Sequence, residues 1–467
     1  FFGRLGARLA VFPELCLTGY PPRDLLGVAS FVSESHDALH WLMANLPPGL
    51  AVALGSVRPS HSTLLFNSAV VIERGKLLAD VPKALLPTYD VFDERRYFEP
   101  APPHCPRVID LDGTRIGLTV CEDLWNDRLL WGEARRYDRD PVADTVEQGA
   151  DLILNLSASP FASGKQARRE QLVRHAASRW RRHVVYAAAV GANDGLIFDG
   201  GSLAARPDGA FVEAAPLFES ALRVFDTEGP AVSSRLLDPM EELADALTLG
   251  IADYTRKTGI PGAIIGLSGG IDSALVAALA VLALGPDRVL GVALPSRYSS
   301  DHSIDDASSL AQHLGIQFSV VPIEPAHAAY ESMLQPVIDP FGPAPASDVT
   351  FENVQARIRG ATLMALSNRT GRILLTTGNK SECSVGYCTL YGDTSGLAVI
   401  ADLWKHQVYA LARWLNAHRI DGAIPESTLL KPPSAELRPG QRDDQSLPPY
   451  DVLDPILEQL VDQELRR

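Results

Sequence analysis

The sequence predicts an α/β protein of two domains, in which a layered domain of strands and helices precedes a doubly wound parallel sheet. The 467 residues exceed what one ordinary core accommodates. Apolar residues make up 46% of the chain and charged residues 21%, which is typical of a folded globular protein. Regular alternation of strand and helix patterns begins only in the second half. We therefore predict domains at 1–235 and 236–467, with a proline-rich tail from about residue 425.

The first half contains short apolar runs separated mostly by loops. Two turns, at Glu73–Lys76 and Pro207–Gly209, predict hairpins, and one helical pattern covers Gln166–Trp180. This mixture predicts a layered α+β or sandwich domain rather than a pure βαβ array. The predicted strands are Leu9–Phe12, Ala51–Leu54, Ala69–Ile72, Ile116–Val120, Leu152–Leu154 and Val184–Ala188.

The second half alternates strand and helix in the manner of a parallel sheet. Such sheets bind ligands beyond the carboxyl ends of their strands, so motifs that follow a strand are candidate site residues. The predicted strands are Ala263–Leu267, Val289–Leu294, Phe318–Val321 and Arg372–Thr376. The predicted helices are Met240–Arg256, Ser273–Leu284, Ser303–Leu314 and Phe351–Ser367.

Charge and cysteine content exclude several classes of function. A net charge of −15 argues against a general nucleic-acid or membrane-surface binder, so small molecules are the expected partners. No apolar run reaches the roughly 18 residues of a membrane span. Five cysteines without a paired framework indicate reduced thiols and predict a cytoplasmic location.

A glycine turn between a predicted strand and helix, at Gly266–Ser273, has the properties of a phosphate site. Backbone N–H groups at Ser268, Gly269 and Gly270 can approach an anion closely, and the positive end of the following helix points at the same place. An ordinary glycine-rich turn is the alternative for the glycines alone, but the serines and Asp272 at these spacings favour phosphate. The stretch lacks the Walker A pattern.

The order Ser-Gly-Gly-x-Asp-Ser resembles the pyrophosphate loop of ATP pyrophosphatases. The resemblance implies ATP binding by this loop and a role for Asp272 in holding Mg²⁺. The implied ATP-binding residues are Gly266, Leu267, Ser268, Gly269, Gly270, Ile271, Asp272, Ser273 and, from a later motif, Thr377.

Three residues at strand ends in the first half could together hydrolyse an amide. Glu14 follows the first predicted strand, Lys83 follows a hairpin arm, and Cys121 ends the strand Ile116–Val120. Covalent amide hydrolysis needs a thiol to attack, a carboxylate to take its proton and an ammonium to stabilise the oxyanion. Each residue alone is more often core filling or a solvated charge.

The motifs around these residues resemble those of the nitrilase superfamily. They are Phe-Pro-Glu, Lys-x-x-Leu-Pro and Cys-Glu-Asp-Leu-Trp. That resemblance implies an α-β-β-α sandwich with Glu14, Lys83 and Cys121 as catalytic residues. Asn155–Lys165 is similar to the substrate loop of the glutamine-using branch, which implies glutamine binding by Tyr89, Ser159 and Lys165. A capped helix start with a solvated lysine explains the loop nearly as well. Glu94 is expected to be a surface carboxylate, with orientation of Lys83 as the alternative.

A second group of motifs follows the predicted strand Arg372–Thr376 and should open at the same sheet edge as the glycine turn. Thr377 is placed to contact ATP, Lys380 to meet a phosphate, and Glu382 to share Mg²⁺ with Asp272. The stretch Val385–Asp393 is rich in aromatic and hydroxyl groups and suits a flat ring and a ribose, although a packed edge strand would also suit it.

Polar residues also share one face of a predicted helix. Asn353 and Arg357 lie four positions apart, and Gly360 follows three positions later. A ligand or another subunit would satisfy these polar groups, and open solvent is the alternative.

Together with Lys431–Leu437, the motifs of both halves resemble the glutamine-dependent NAD⁺ synthetase family. The resemblance runs from about Phe12 to Leu457. The resemblance implies a carbon–nitrogen ligase that amidates deamido-NAD⁺ with glutamine and ATP, and that forms a homo-oligomer. Another glutamine-fed amidotransferase and a non-catalytic assembly subunit are the alternatives. The first strand of the family is expected to be missing or nearly so, and the chain is expected to stop short of a C-terminal segment that in the family contributes a lysine to the dinucleotide site. The implied deamido-NAD⁺ contacts are Asn353, Glu382, Tyr387, Cys388, Thr389 and Leu390.

Overall fold

A computed structural model describes residues 6–60, 62–131, 136–345, 347–393 and 395–462. The chain divides into two compact units, Phe1–Leu237 and Asp238–Arg467. The boundary predicted from the sequence follows residue 235. Within the described ranges, no helix has both the length and the apolar character needed to cross a membrane.

The first unit contains twelve strands among its described residues. Four form one sheet in the order β1-β2-β3-β4, six form a second in the order β12-β11-β8-β7-β6-β5, and β9 pairs with β10 in a hairpin. The strands are β1 Leu9–Val11, β2 Ala51–Pro59, β3 Leu65–Glu73, β4 Lys76–Pro82, β5 Val108–Leu111, β6 Thr114–Val120, β7 Leu152–Ser157, β8 His183–Ala188, β9 Val190–Asn193, β10 Leu196–Asp199, β11 Leu203–Ala205 and β12 Phe211–Ala214.

The helices of this unit lie on the outer faces of the two sheets, whose inner faces pack together. Ala53 and Val71 of the first sheet share a buried cluster with Leu118 and Leu154 of the second. The outer helices explain why β2 and β3 are almost continuously buried and do not alternate. The helices are α1 Ala29–Asn45, α2 Glu122–Trp125, α3 Arg128–Trp131, α4 Pro141–Glu147 and α5 Lys165–Trp180.

Two further clusters attach these helices to the sheets. Leu39 of α1 packs with Val52 and Ile72 of the first sheet. Leu172 of α5 packs with Ile153 and the other buried residues of the second sheet. The layers are therefore α-β-β-α, which confirms the predicted sandwich.

The first strand is short but present. β1 has three residues and pairs in parallel with β2, with Leu9 opposite Ala51. The first strand is therefore not missing, but with three residues it is as short as the expectation allowed.

The second unit contains one parallel sheet of five strands in the order β15-β14-β13-β16-β17. The chain moves outward from β13 through β14 to β15 and then returns to β16 on the other side. β13 and β16 therefore flank the switch point of a doubly wound sheet, as predicted, and ligands bind at such points. The strands are β13 Ala263–Gly266, β14 Val289–Ala293, β15 Gln317–Val320, β16 Ile373–Thr376 and β17 Leu397–Ala398.

Both faces of this sheet are covered by helices. The first of them, α6, begins at Pro239 behind an Asp238 cap, whose carboxylate accepts the Met240 N–H at 2.8 Å, and it ends at Gly259 in the left-handed region. The helices are α6 Pro239–Thr258, α7 Ile271–Leu284, α8 Asp301–Leu314, α9 Glu324–Ile338, α10 Thr350–Thr370, α11 Lys380–Val385, α12 Lys405–His418, α13 Glu426–Leu430 and α14 Tyr450–Leu457.

Five helices of this unit, α9, α11, α12, α13 and α14, were not among those predicted. α9 and α14 each contain a proline, at Pro336 and Pro455, which hides a helical pattern in the sequence. α14 lies inside the proline-rich tail and packs against α11 and α12. Tertiary contacts therefore stabilise helices that the local sequence does not predict.

Candidate active sites

Three sequence-predicted catalytic residues of the first unit lie at the ends of strands. Glu14 follows β1, Lys83 comes directly after β4, and Cys121 comes directly after β6. Their exposed fractions are only 1%, 0% and 5%. Buried charges of this kind require partners, so the contacts of each group define what it can do.

The Lys83 ammonium is held between two carboxylates. Its Nζ atom lies 2.7 Å from Glu14 Oε1 and 2.7 Å from Glu94 Oε1. Burial alone would lower the pKa of Lys83, but Glu14 and Glu94 outweigh it and hold this pKa well above its usual value. The side-chain amide of Asn67 also donates to Glu14 Oε1, at 2.7 Å, and the Ala158 N–H donates to Glu14 Oε2 at 2.9 Å.

Glu94 is not the surface carboxylate that the sequence favoured. It is 5% exposed, accepts a hydrogen bond from the Tyr20 hydroxyl at 2.7 Å and binds Lys83. Burial raises the pKa of Glu94 to about 7, against the opposing charge of Lys83. The contact with Lys83 instead fits the alternative, in which Glu94 orients that lysine.

Cys121 occupies a strained turn between β6 and α2. Its φ of 41° and ψ of −99° are unusual for a residue with a side chain, and such strain concentrates at functional sites. Its N–H donates to the Leu156 carbonyl at 2.9 Å. Burial, followed by the charge of Glu14, raises the pKa of the Cys121 thiol, while Lys83 and a hydrogen bond with Ser157 lower it. The net effect raises the pKa of the thiol above its usual value, which favours the protonated form at rest.

The three predicted glutamine contacts are partly buried polar groups in the same unit. The Tyr89 hydroxyl lies 2.9 and 3.0 Å from the two carboxylate oxygens of Glu122, a residue that the sequence did not single out. Ser159 is buried, and its carbonyl accepts the guanidinium of Arg169 at 3.2 Å.

Lys165 begins α5 and donates to the Pro160 carbonyl at 2.9 Å. Burial, with Arg169 nearby, lowers the pKa of Lys165 to about 8. The residue before it, Gly164, makes no side-chain cap. The alternative of a capped helix start with a solvated lysine is therefore wrong.

The second unit contains a cleft of about 340 Å³ at the carboxyl edge of its sheet, between the loops that follow β13 and β16. Most of the predicted nucleotide residues line it. These are Gly266, Leu267, Ser268, Gly270, Ile271, Asp272, Ser273, Thr377, Glu382, Tyr387 and Cys388.

The glycine turn of this cleft is held by its own serines. The Gly270 N–H donates to Ser268 Oγ at 3.2 Å, and Ser273 Oγ donates to the Gly270 carbonyl at 3.0 Å. Gly269 does not line the cleft. Its φ is +73°, and a Cβ there would lie 2.3 Å from the Ser303 carbonyl oxygen, so this glycine shapes the turn against α8.

Three predicted dinucleotide contacts, Asn353, Thr389 and Leu390, also lie outside the cleft lining. Thr389 Oγ1 donates to Asn353 Oδ1 at 2.8 Å, so these two polar groups satisfy each other. Leu390 is 67% exposed, and its carbonyl accepts Arg357 Nε at 3.2 Å. Asn353, Thr389 and Leu390 therefore lie together beside the cleft but do not line it.

A lysine that sequence reasoning missed joins the two predicted metal ligands. Lys405 Nζ lies 2.6 Å from Asp272 Oδ2 and 3.1 Å from Glu382 Oε1. Burial would lower the pKa of Lys405, but the two carboxylates hold it well above its usual value. Burial raises the pKa of Glu382 to about 7, against the charge of Lys405. Lys380, the predicted phosphate contact, instead pairs with Asp462 at 2.5 Å.

Lys405 is the first residue of α12, where the helix dipole disfavours a cation. A lysine in that position indicates a specific anionic partner. This unusual position of Lys405 can be recognised only once α12 has been predicted, and the sequence patterns did not predict that helix.

Comparison with known proteins shows the class of each unit. The profile of the carbon–nitrogen hydrolase family matches residues 2–227, and that of NAD synthase matches residues 243–467. The buried Glu14–Lys83 pair and the strained Cys121 thus lie in a domain of the carbon–nitrogen hydrolase family, and the cleft at the switch point lies in an NAD synthase domain.

Full-length relatives specify the family. The chain is 49% identical to the glutamine-dependent NAD⁺ synthetase of Synechocystis sp., covering 98% of this chain and 83% of the relative. It is 39% identical to that of Thermotoga maritima, covering 98% and 84%. The solved glutamine-dependent NAD⁺ synthetase of Acinetobacter baumannii, in complex with ADP, has a TM-score of 0.83 at 34% identity, covering 99% and 83%. This chain belongs to the glutamine-dependent NAD⁺ synthetase family.

Proposed function

We propose that this protein converts deamido-NAD⁺ to NAD⁺, with ATP as the energy source and glutamine as the nitrogen donor. The observation that carries the proposal is the pairing, in one chain, of a buried Glu14–Lys83 pair near Cys121 with the Gly266–Ser273 cleft. Family membership favours this reaction over an amidotransferase with another acceptor and over a non-catalytic assembly subunit.

In the first half-reaction, Cys121 attacks the side-chain amide carbon of glutamine. Because the pKa of the thiol is raised, its attack needs a base, and the Glu14 carboxylate is the candidate. Lys83 stays an ammonium and would stabilise the oxyanion. Ammonia leaves, and water hydrolyses the thioester to glutamate. Tyr89, Ser159 and Lys165 would hold the amino-acid end of glutamine.

In the second half-reaction, the carboxylate of deamido-NAD⁺ attacks the α-phosphate of ATP, which releases pyrophosphate and forms an adenylate. Turn amides at Gly266–Ser273 and Thr377 would hold the polyphosphate, with help from the positive end of α7. Lys405 is the buried cation placed to neutralise its charge. Ammonia then displaces AMP and completes the amide.

The donor set at Asp272 and Glu382 fits Mg²⁺. Their carboxylates converge on one ammonium, and Mg²⁺ in such sites takes one or two carboxylates together with substrate phosphates and water. Among the described residues there is no group of three or more His, Cys, Asp or Glu that could hold a metal, so phosphate oxygens would have to complete the shell. Bound Mg²⁺ would neutralise polyphosphate charge.

For deamido-NAD⁺, we propose the contacts implied by the resemblance. Glu382, Tyr387 and Cys388 line the cleft, and this supports them directly. The supporting observation for the rest is position alone, since Asn353, Thr389 and Leu390 lie on the segments that border the cleft.

A homo-oligomer is the further proposal for this chain, and one helix supports it. Only His327 is buried in α9, whereas Tyr330, Met333 and Val337 are 45%, 61% and 63% exposed. These three lie on one helical face, and an apolar face of this kind fits a second copy of the chain. A cytoplasmic location stays a prediction from the cysteine content.

Cys121→Ala tests the function most directly. The variant should lose synthesis of NAD⁺ from glutamine and keep synthesis from ammonium salts, because only the first half-reaction uses the thiol. The assay follows NAD⁺, glutamate and AMP with deamido-NAD⁺, ATP and Mg²⁺ present. Cys105→Ala, which changes a second thiol of the same unit that is only partly buried, is the control and should keep both activities.

Loss of both activities in Cys121→Ala would contradict separate half-reactions. Unchanged glutamine use would remove Cys121 from the mechanism and leave the chain without its proposed nucleophile.

A further inference from the structure

Asp123 is a buried carboxylate two residues after the candidate nucleophile, and the proposed chemistry does not use it. It is 1% exposed. Its Oδ1 atom accepts the N–H groups of Ala84 and Leu85 at 3.0 and 2.9 Å. Its Oδ2 atom accepts the Val120 N–H at 3.2 Å. The carboxylate thus contacts the backbone on both sides of the candidate site.

These three N–H groups lie next to the reacting residues in the chain. Ala84 and Leu85 directly follow Lys83, and Val120 directly precedes Cys121. The segments that carry the ammonium and the thiol are therefore joined through one side chain, although they are far apart in sequence.

A buried arginine strengthens the same junction. Arg107 is 0% exposed, and its Nη1 atom lies 3.4 Å from Asp123 Oδ2 and 3.4 Å from the Leu118 carbonyl of β6. Its Nη2 atom lies 3.4 Å from the carbonyl of Pro82, the residue before Lys83. The guanidinium pairs with the Asp123 charge and also contacts both strands that end in reacting residues.

We propose that Asp123 is a positioning residue of the glutaminase site, and that with Arg107 it sets the separation between the Lys83 ammonium and the Cys121 sulfur. A carboxylate suits this task because it has no hydrogen to donate, so both oxygens can accept N–H groups at once. An amide of the same shape would turn an NH₂ group toward N–H donors on one side. The inference rests on the proposed function, since it assigns Asp123 to the same site.

Asp123→Asn is the test, and Asp127→Asn is its matched control. Asp127 is also a buried carboxylate of this unit and accepts two backbone N–H groups, from Leu129 and Leu130, together with the guanidinium of Arg179. None of these partners belongs to the segments of Lys83 or Cys121. Both variants lose comparable hydrogen bonds, so they separate positioning from general stability.

We expect Asp123→Asn to lower kcat for glutamine hydrolysis by about 100-fold, since a displacement near 1 Å in a site costs this much. Asp127→Asn should lower it far less at an equal loss of thermal stability. Ammonia-dependent NAD⁺ synthesis should stay unchanged in both variants, which shows that the second unit is intact.

The pH profile of Cys121 alkylation by iodoacetamide is a second measurement. A purely structural role of Asp123 would leave this profile unchanged. Lys83 lowers the pKa of the thiol, so displacement of the ammonium should shift the pH profile of alkylation upward in Asp123→Asn and not in Asp127→Asn.

Equal losses of glutaminase activity and equal alkylation profiles in the two variants would overturn the proposal. If the native protein hydrolyses no glutamine, the proposed function fails. The alkylation profiles would still report whether Asp123 sets the geometry around Cys121.

Discussion

At the scale of single residues, both candidate sites use the same device, which is a buried lysine between two carboxylates. Lys83 lies between Glu14 and Glu94, and Lys405 lies between Asp272 and Glu382. Each ammonium keeps its charge inside the protein because two anions outweigh the cost of burial. A permanent cation next to a site where negative charge develops stabilises that charge without reorganisation.

Glu94 should give the glutaminase reaction a pH dependence near neutrality. Because its pKa is raised to about 7, Glu94 is protonated below that pH and ionised above it. Only the ionised form holds the Lys83 ammonium with a full charge, so kcat/KM for glutamine should fall as pH drops through about 7. The pH profile of glutamine hydrolysis measures this.

Glu94→Gln is the matching variant. The amide mimics the protonated acid, so activity should stay about 10- to 100-fold below the native plateau and lose the step near pH 7. A native-like step in this variant would assign the titration to another group.

At the scale of elements, function is concentrated where strands end. β1, β4 and β6 of the first unit, and β13 and β16 of the second, each lead directly into a segment with a candidate site residue. The hydrogen-bonded strands fix where these segments begin, and short turns then aim the side chains. In the turn after β13, α8 packs closely against Gly269.

Gly269→Ala should damage the nucleotide cleft. A Cβ would meet the Ser303 carbonyl oxygen at 2.3 Å, and the left-handed φ adds strain of about 1–3 kcal/mol. We expect KM for ATP to rise about 10-fold or more, because the turn must shift to relieve the clash. Steady-state kinetics with ammonia as nitrogen donor measure this without the glutaminase reaction.

Gly259→Ala provides the control for Gly269→Ala. Its φ is +69°, but a Cβ there would meet nothing within 4 Å. It should lose a similar amount of backbone stability and leave KM for ATP unchanged. An equal rise in both variants would attribute the effect to stability alone.

At the scale of the whole molecule, the chain carries two units with separate cores, and the proposed reaction needs both. Free ammonia is mostly ammonium at neutral pH and would escape into solvent. Ammonia that is released in one unit and used in the other therefore needs a closed path, and this favours an assembly of several chains. We propose that the exposed apolar face of α9, at Tyr330, Met333 and Val337, contacts a second copy of the chain.

Met333→Asp should weaken the proposed oligomer. The residue is 61% exposed on α9, so the change should not disturb the fold, whereas a charge inside an apolar interface costs binding free energy. Sedimentation velocity should show a smaller particle at micromolar concentration. Trp41→Asp, at a residue 64% exposed in the other unit, is the control and should leave the mass unchanged. Equal masses for the native protein and both variants would exclude α9 as the interface.

Local patterns in the sequence predicted most of the fold. Apolar runs and turns located β2, β3, β6, β7 and β13, since burial and backbone geometry act over a few residues. The glycine turn and the words around Glu14, Lys83 and Cys121 were recognisable for the same reason. The helices α9 and α12 were missed, because packing stabilises them more than their own composition does.

The residues alone were therefore enough to predict the class of the protein, its two domains and most of the chemical groups at each site. Which of these groups meet depends on the fold. It buried Glu94 against Lys83, which comes 11 residues earlier in the chain, and brought Lys405 to Asp272 across 133 residues. It also turned Asp123 onto the amides after Lys83. Such contacts depend on how strands and helices pack, and no local pattern carries that information.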